Sequence, residues 1–269
     1  MSNSSLYLLT FVAYAVLAIY FWRTQIKGGG DNLNHGVAGH LVLLPLALHA
    51  YLLYGNLFNP GLNLALVYAV SLILWLSMLV YWIARFFYPI GSLQTLVLPL
   101  AALGALLPAL FPAVHPLTGH STFALDAHIL ASMLAYSLFT IAVLHAGLMS
   151  FVEKRLHNAS LPLVLRGLPP LLTMETLLFR IIGAGFVLLT LTLASGMVFA
   201  EQIFGRPLQF NHKILFGFIS WGVFGGLLLG HYYRGWRGRT AVRWTMSGFV
   251  FLLLAYIGSK FVLEVLLHR

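Results

Sequence analysis

Eight apolar runs, each close to the length that crosses a bilayer, constrain this chain more than any other feature. They lie at residues 6–22, 37–57, 64–84, 95–114, 126–149, 177–200, 212–232 and 244–264. A transmembrane α-helix needs about 20 predominantly apolar residues, and an open sheet cannot satisfy its backbone in lipid. The runs therefore predict an all-α, polytopic membrane protein of about eight transmembrane helices, which form a single transmembrane domain over residues 1–269.

The composition excludes other classes of protein. Apolar residues make up 60% of the chain and charged residues only 8%, with a mean hydropathy of +0.92, so a soluble fold is excluded. The net charge of +9 is confined to short loops and does not indicate a nucleic-acid partner. The absence of cysteine excludes disulfides, thiolate metal sites and covalent haem attachment through this chain.

The loop charges predict the orientation in the membrane. Eleven of the fifteen lysines and arginines fall on one side of the predicted spans: Arg23, Lys27, Arg85, Lys154, Arg155, Arg166, Arg180, Arg234, Arg237, Arg239 and Arg243. By the positive-inside rule this side is cytoplasmic, and both termini lie outside, in the periplasm. We expect a multi-pass protein of the bacterial inner membrane, whose partners are the lipid bilayer and other inner-membrane proteins.

Histidines are the main candidate site residues. The chain has eleven histidines and only six acidic residues, and ionisable groups at membrane depth are functional candidates by default. Histidine without cysteine, in apolar surroundings, suits an axial ligand of haem iron. His231 ends the seventh run beside Arg234, Arg237 and Arg239, which could bind haem propionates.

Simpler interpretations apply to the same residues. One membrane histidine is more often a packing residue than a ligand, and the arginines also serve as topology signals. Gly222, Gly226 and Gly230 form a stripe typical of helix packing. The histidine spacings do not match a zinc-binding helix, and no nucleophile elbow is present.

Three stretches resemble a known family. LFRIIGAGFVLLTLTLASG, residues 178–196, is very similar to a segment of the form RIIGxGFxLLTxxxxSG. His128 precedes Tyr136 by eight residues, and Lys213 and Trp221 precede His231 in a pattern that leads into a basic loop. These stretches resemble the cytochrome c assembly family, the CcsA-like and HemX-like inner-membrane proteins that handle haem, with the best match over residues 124–265. The resemblance implies that His128 is an axial ligand to a haem near the outer face.

One family motif is missing. The tryptophan-rich motif, of WxWDPKExW type, is replaced by PLQFNHKILF, in which only Lys213 of its core remains. The chain is therefore most similar to the short, eight-span HemX-like branch, and we do not expect it to be an enzyme with cytochrome c synthase activity.

Our first hypothesis is a protein that binds haem b through His49 and His231 on the inner side and through His128 on the outer side. If the second span begins at Val37, His49 lies about 18 Å from the inner edge at 1.5 Å per residue. A kink at Pro45 could reduce this distance; otherwise His40 is the better partner for His231. The alternatives are a cofactor-free partner or regulatory protein with the same fold and, less favoured, a small-molecule permease.

Overall fold

The structure is a computed structural model, and it describes residues 3–26, 37–57, 63, 65–88, 93–112, 123–157, 168–204 and 212–261. The helices are α1 (Asn3–Ile26), α2 (Val37–His40), α3 (Leu43–Leu57), α4 (Leu66–Ala84), α5 (Gln94–Leu110), α6 (Phe123–His157), α7 (Leu171–Phe204), α8 (His212–Arg234) and α9 (Gly238–Leu253). A π-helix (Leu254–Gly258) and the short α10 (Ser259–Phe261) continue α9.

This architecture confirms the all-α, polytopic membrane fold. Within the described ranges, six helical segments are long and apolar enough to cross a membrane, and α3 and α5 are shorter apolar helices. The helices follow the predicted runs closely, because hydropathy over 20 residues decides both the helix and its depth in lipid. The predicted orientation, with both termini outside, stays a prediction.

Prolines shape the two shorter helices differently. A kink was expected at Pro45 inside one span, but the helix is interrupted earlier, at Leu41 and Val42, and Pro45 is the third residue of α3. The first turn of a helix tolerates proline because its N–H groups have no intrahelical acceptor. In contrast, α5 continues through Pro99 and Pro108.

The chain divides into two compact units. The first comprises Met1–Leu117 and Phe151–Met174. In it, α1 and α4 each pack against both α3 and α5. Gly104 allows a close approach of α5 to α4, since a Cβ atom there would lie 2.9 Å from Cβ of Leu74.

The second unit comprises Thr118–Ser150 and Glu175–Arg269. Here α8 pairs with α9 and with the π-helix that follows it. The rings of Phe139 and Phe224 stack with their centroids 3.9 Å apart, and Phe224 also fills the space beside Gly248. The expectation of a single domain over residues 1–269 stays a prediction.

Candidate functional site

His49 lies in the core of the first unit. It is fully buried, and its Nε2 is 3.0 Å from the hydroxyl of Ser71. That hydroxyl donates to the carbonyl of Gly104 at 2.7 Å, so it accepts the proton of His49 Nε2. The neutral ring then carries its lone pair on Nδ1. This atom is buried and has no hydrogen-bond partner among the described residues, and the buried hydroxyl of nearby Tyr14 has none either.

His128 lies near the start of α6 in the second unit and is held by two consecutive residues of α7. Its Nδ1 is 2.8 Å from the hydroxyl of Ser195, which itself donates to the carbonyl of Thr192. A Cβ atom on Gly196 would lie 3.3 Å from Cε1 of His128, so glycine leaves room for the imidazole. With the hydroxyl donating to Thr192, the neutral ring carries its proton on Nδ1 and its lone pair on Nε2.

His231 lies in the last turn of α8 and is held by the turn that follows. Its Nδ1–H donates to the carbonyl of Trp236 at 2.9 Å, and its ring stacks on Phe179 of α7 with 3.6 Å between centroids. Gly235, at φ 65°, reverses the chain and donates its N–H to the carbonyl of His231, which is the usual glycine termination of a helix. In the neutral form of the ring, Nε2 of His231 carries the lone pair.

The predicted cationic residues lie next to this turn, and all three are exposed. Arg237 Nε is 3.3 Å from Oε1 of Glu175 on α7. The other carboxylate oxygen of Glu175 accepts the backbone N–H of Gly238. Glu175 therefore holds the turn at both Arg237 and Gly238, whereas the side chain of Arg234 makes no hydrogen bond or ion pair with the described residues. Arg239 also interacts with another group of the protein.

His40, the alternative partner of His231, is exposed at the end of α2 and lies 6.1 Å from the Trp82 ring and 5.9 Å from the Phe86 ring. His49 and His40 belong to the first unit and His231 to the second. The choice of partner for His231 therefore stays a prediction.

Sequence reasoning identified the histidines but missed the residues that hold them: Ser71, Thr192, Ser195, Gly196, Phe179 and Glu175. The only available signals were local. Ser195 and Gly196 close the stretch that resembles the family, and Phe179 and Glu175 are four residues apart, on one face of α7. No sequence feature marked Ser71 as the partner of a histidine, because a serine in an apolar helix usually bonds to its own backbone.

The apolar helices define a multi-pass membrane protein, in which His49 is buried and His128 and His231 are half-buried. A model of the family described as Cytochrome C assembly protein matches residues 35–267. The chain belongs to this family, and the resemblance seen in residues 178–196 and their neighbours is confirmed.

The relatives fall into two groups. The chain is 30% identical to Inner membrane protein YpjD of Escherichia coli strain K12 over 96% of its own length and 98% of that protein. It is 32% identical to the uncharacterized 28.8 kDa protein in the nifR3-like 5′ region of Azospirillum brasilense, over 99% of this chain and 100% of the other. The chain is 37% identical to Cytochrome c biogenesis protein CcsA of Prochlorococcus marinus strain MIT 9515 over 89 residues, which cover 33% of this chain and 28% of that protein. No solved structure is significantly similar.

Proposed function

We propose that this protein binds haem b in the inner membrane through histidine axial ligands. His128 is the ligand of a haem on the outer side, and His49 and His231 are the ligands on the inner side. One observation carries the proposal: each of the three rings has one nitrogen hydrogen-bonded to a neighbour. At His49 and His128 the neighbour is a serine hydroxyl that also donates to a backbone carbonyl, and at His231 it is the Trp236 carbonyl. The other nitrogen of each ring therefore keeps the lone pair that a metal needs.

Such partners are characteristic of histidine ligands, because an acceptor on one ring nitrogen selects the tautomer, fixes the ring plane and raises the basicity of the other nitrogen. Buried polar atoms are normally hydrogen-bonded, so the unpartnered Nδ1 of His49 is an exception that a ligand would remove. The name of the CcsA relative refers to cytochrome c biogenesis, which is a haem-dependent process and agrees with the proposal.

Each residue has a defined role in this proposal. Bound haem supplies an iron that accepts an imidazole lone pair and exchanges single electrons. Ser71, Ser195 and the Trp236 carbonyl hold the rings of His49, His128 and His231 in the required tautomers. Phe179 restricts the rotation of His231 by stacking. Arg234, Arg237 and Arg239 would pair with propionate carboxylates at the predicted inner edge; of these, Arg237 is already engaged by Glu175.

The test is a pyridine haemochrome assay with Soret absorbance on the purified full-length protein, expressed under haem-replete conditions. We expect a haem b spectrum in the wild type. His128→Ala should remove one population of haem, and His49→Ala and His231→Ala should each remove the other. His212→Ala is the matched control, because His212 is exposed at the start of α8 and should leave the spectrum unchanged.

Two further results decide the details. Loss of haem in His40→Ala but not in His49→Ala would replace His49 by His40 as the inner ligand. A wild-type protein without a Soret band, or a band equally strong in all three alanine variants, would contradict haem binding. Co-purification of a partner that depends on Arg234 and Arg239 would then favour the cofactor-free regulatory alternative.

A further inference from the structure

Arg85 is a buried cation in the first unit that the proposed haem chemistry does not use. It follows the last residue of α4 and is only 4% exposed. Its Cζ lies 5.1 Å from the centroid of Phe86 and 5.9 Å from that of Trp82. Its Nε and Nη1 atoms are buried and have no hydrogen-bond partner among the described residues. Burial lowers the pKa of this guanidinium, because removal from water disfavours the charged form.

Two neighbouring side chains also offer unused donors. Nε1 of Trp82 and Nε2 of Gln94 are buried without an acceptor among the described residues. Gln94 is fully buried at the start of α5, and its Oε1 lies 3.3 Å from the hydroxyl of Tyr81. We call Tyr81, Trp82, Arg85 and Gln94 the Arg85 cluster. Its four unpartnered atoms are all N–H donors, so what it lacks is an acceptor.

We propose that the Arg85 cluster binds a phosphate-type oxyanion. Nε–H and Nη1–H lie on different edges of the planar guanidinium, so each can donate a single charge-assisted hydrogen bond to an oxygen of an oxyanion. The remaining oxygens of a phosphate can accept from Trp82 and Gln94. Residues 32–125 contain no aspartate or glutamate, so no carboxylate near the cluster in sequence supplies the missing acceptor.

Phosphate can reach this site as a lipid headgroup or as a free ion. Arg85 stands at the end of a membrane-spanning helix, and Ile83, Phe86 and Phe87 around it are 46%, 50% and 74% exposed. Their apolar surfaces suit the acyl chains of a lipid whose headgroup binds the cluster. The chemistry at the donors is the same for either source, so the experiment separates them.

The site is independent of haem at His49. Ser71, which holds His49, and Arg85 are 14 positions apart along α4 and its last turn, which corresponds to about 21 Å at 1.5 Å per residue. The Arg85 cluster shares no residue with the proposed haem ligands or with the side chains that hold them, so phosphate binding and haem binding can be tested separately.

Native mass spectrometry of the full-length protein in detergent tests the proposal with two probes, phosphatidylglycerol and inorganic phosphate, each titrated after delipidation. Gln94→Glu places a carboxylate among the donors and should weaken binding at least about tenfold, as expected for lost charge-assisted hydrogen bonds. Arg85→Gln should do the same. Arg155→Gln is the matched control, because Arg155 also lies over an aromatic ring, with Cζ 5.1 Å from the Phe151 centroid, but is exposed.

Trp82→Phe keeps the ring, removes one donor, and tests the site if Arg85→Gln does not fold. Selective loss of phosphatidylglycerol in Gln94→Glu supports the site with a lipid as its ligand. Selective loss of inorganic phosphate supports it with a free ion as its ligand. Equal binding of both probes by the wild type, Gln94→Glu and Trp82→Phe overturns the proposal.

Discussion

Glu175 on α7 accepts a hydrogen bond from the backbone N–H of Gly238, the first residue of α9, with 3.3 Å between Oε2 and the amide nitrogen. A carboxylate at a helix N-terminus satisfies a free N–H group and complements the helix dipole. No side chain within α9 does this, since its N-cap residue Arg237 makes no side-chain cap bond. The cap of α9 is therefore supplied by another helix, and it also holds the turn that positions His231.

This arrangement predicts an order of stabilities. Glu175→Ala should lower the free energy of unfolding by about 1–2 kcal/mol, because the cap of α9 is lost. Arg237→Ala should cost less than about 1 kcal/mol, because its side chain is 62% exposed and exposed ion pairs contribute little. Thermal unfolding in detergent measures both variants. An equal loss in the two would mean that the ion pair, rather than the cap, stabilises the turn.

A second prediction compares two glycines on the same stripe of α8. A Cβ atom on Gly230 would lie 2.3 Å from Cε3 of Trp236, whereas one on Gly222 meets nothing within 4 Å. Gly230→Ala should therefore displace Trp236 and cost about 1–3 kcal/mol through overpacking. Gly222→Ala should change stability by less than about 1 kcal/mol. Melting temperatures of the pair check this, and similar values for both would show that the Trp236 ring moves aside freely.

The third prediction concerns the residue that orients His128. Ser195→Ala removes the acceptor of Nδ1–H while leaving the histidine in place. If His128 ligates haem, its affinity for haem should fall about 10- to 100-fold, as is typical for residues that hold a metal ligand. Haem titration of the purified protein followed at the Soret band measures this. Ser247→Ala, on the exposed side of α9, is the control, and an unchanged affinity in Ser195→Ala would exclude a positioning role.

The fourth prediction concerns Ser71 in the first unit. Ser71→Ala leaves the Nε2–H of His49 buried without an acceptor, which should cost about 1–3 kcal/mol. Thr10→Val is the comparison, since Thr10 is equally buried but its hydroxyl bonds only to the carbonyl of Leu6 in its own helix. We expect the valine variant to lose less than half as much stability, measured by thermal unfolding without haem. The reverse order would mean that His49 adopts the other tautomer.

The sequence predicted the fold well because membrane helices depend on local composition. The run at 64–84 became α4, Leu66–Ala84, and the run at 212–232 became α8, His212–Arg234. The main error was the position of the break near Pro45, which depends on where the first turn of α3 begins. The candidate ligands were also visible, since an ionisable residue in an apolar helix stands out against its neighbours.

The partners of these ligands were not visible in the sequence, because they come from distant positions. Ser71 is 22 residues from His49, and Ser195 is 67 residues from His128. The Trp236 carbonyl is only five residues from His231, yet a backbone acceptor has no signature in the side-chain pattern. The sequence also gave no sign of the Arg85 cluster, because Arg85 is one of several basic residues that follow apolar runs.

Hydropathy and loop charge by themselves determined that this chain is a polytopic membrane protein, which segments are helical, and which residues are candidate ligands. Only the tertiary structure decided which neighbour engages a ring nitrogen of each histidine, and which buried donors remain without an acceptor among the described residues. The physical reason is that the two properties depend on residues at different separations along the chain. Transfer of an apolar segment into lipid depends on about 20 consecutive residues, whereas a hydrogen bond depends on which helices bring two atoms within about 3 Å.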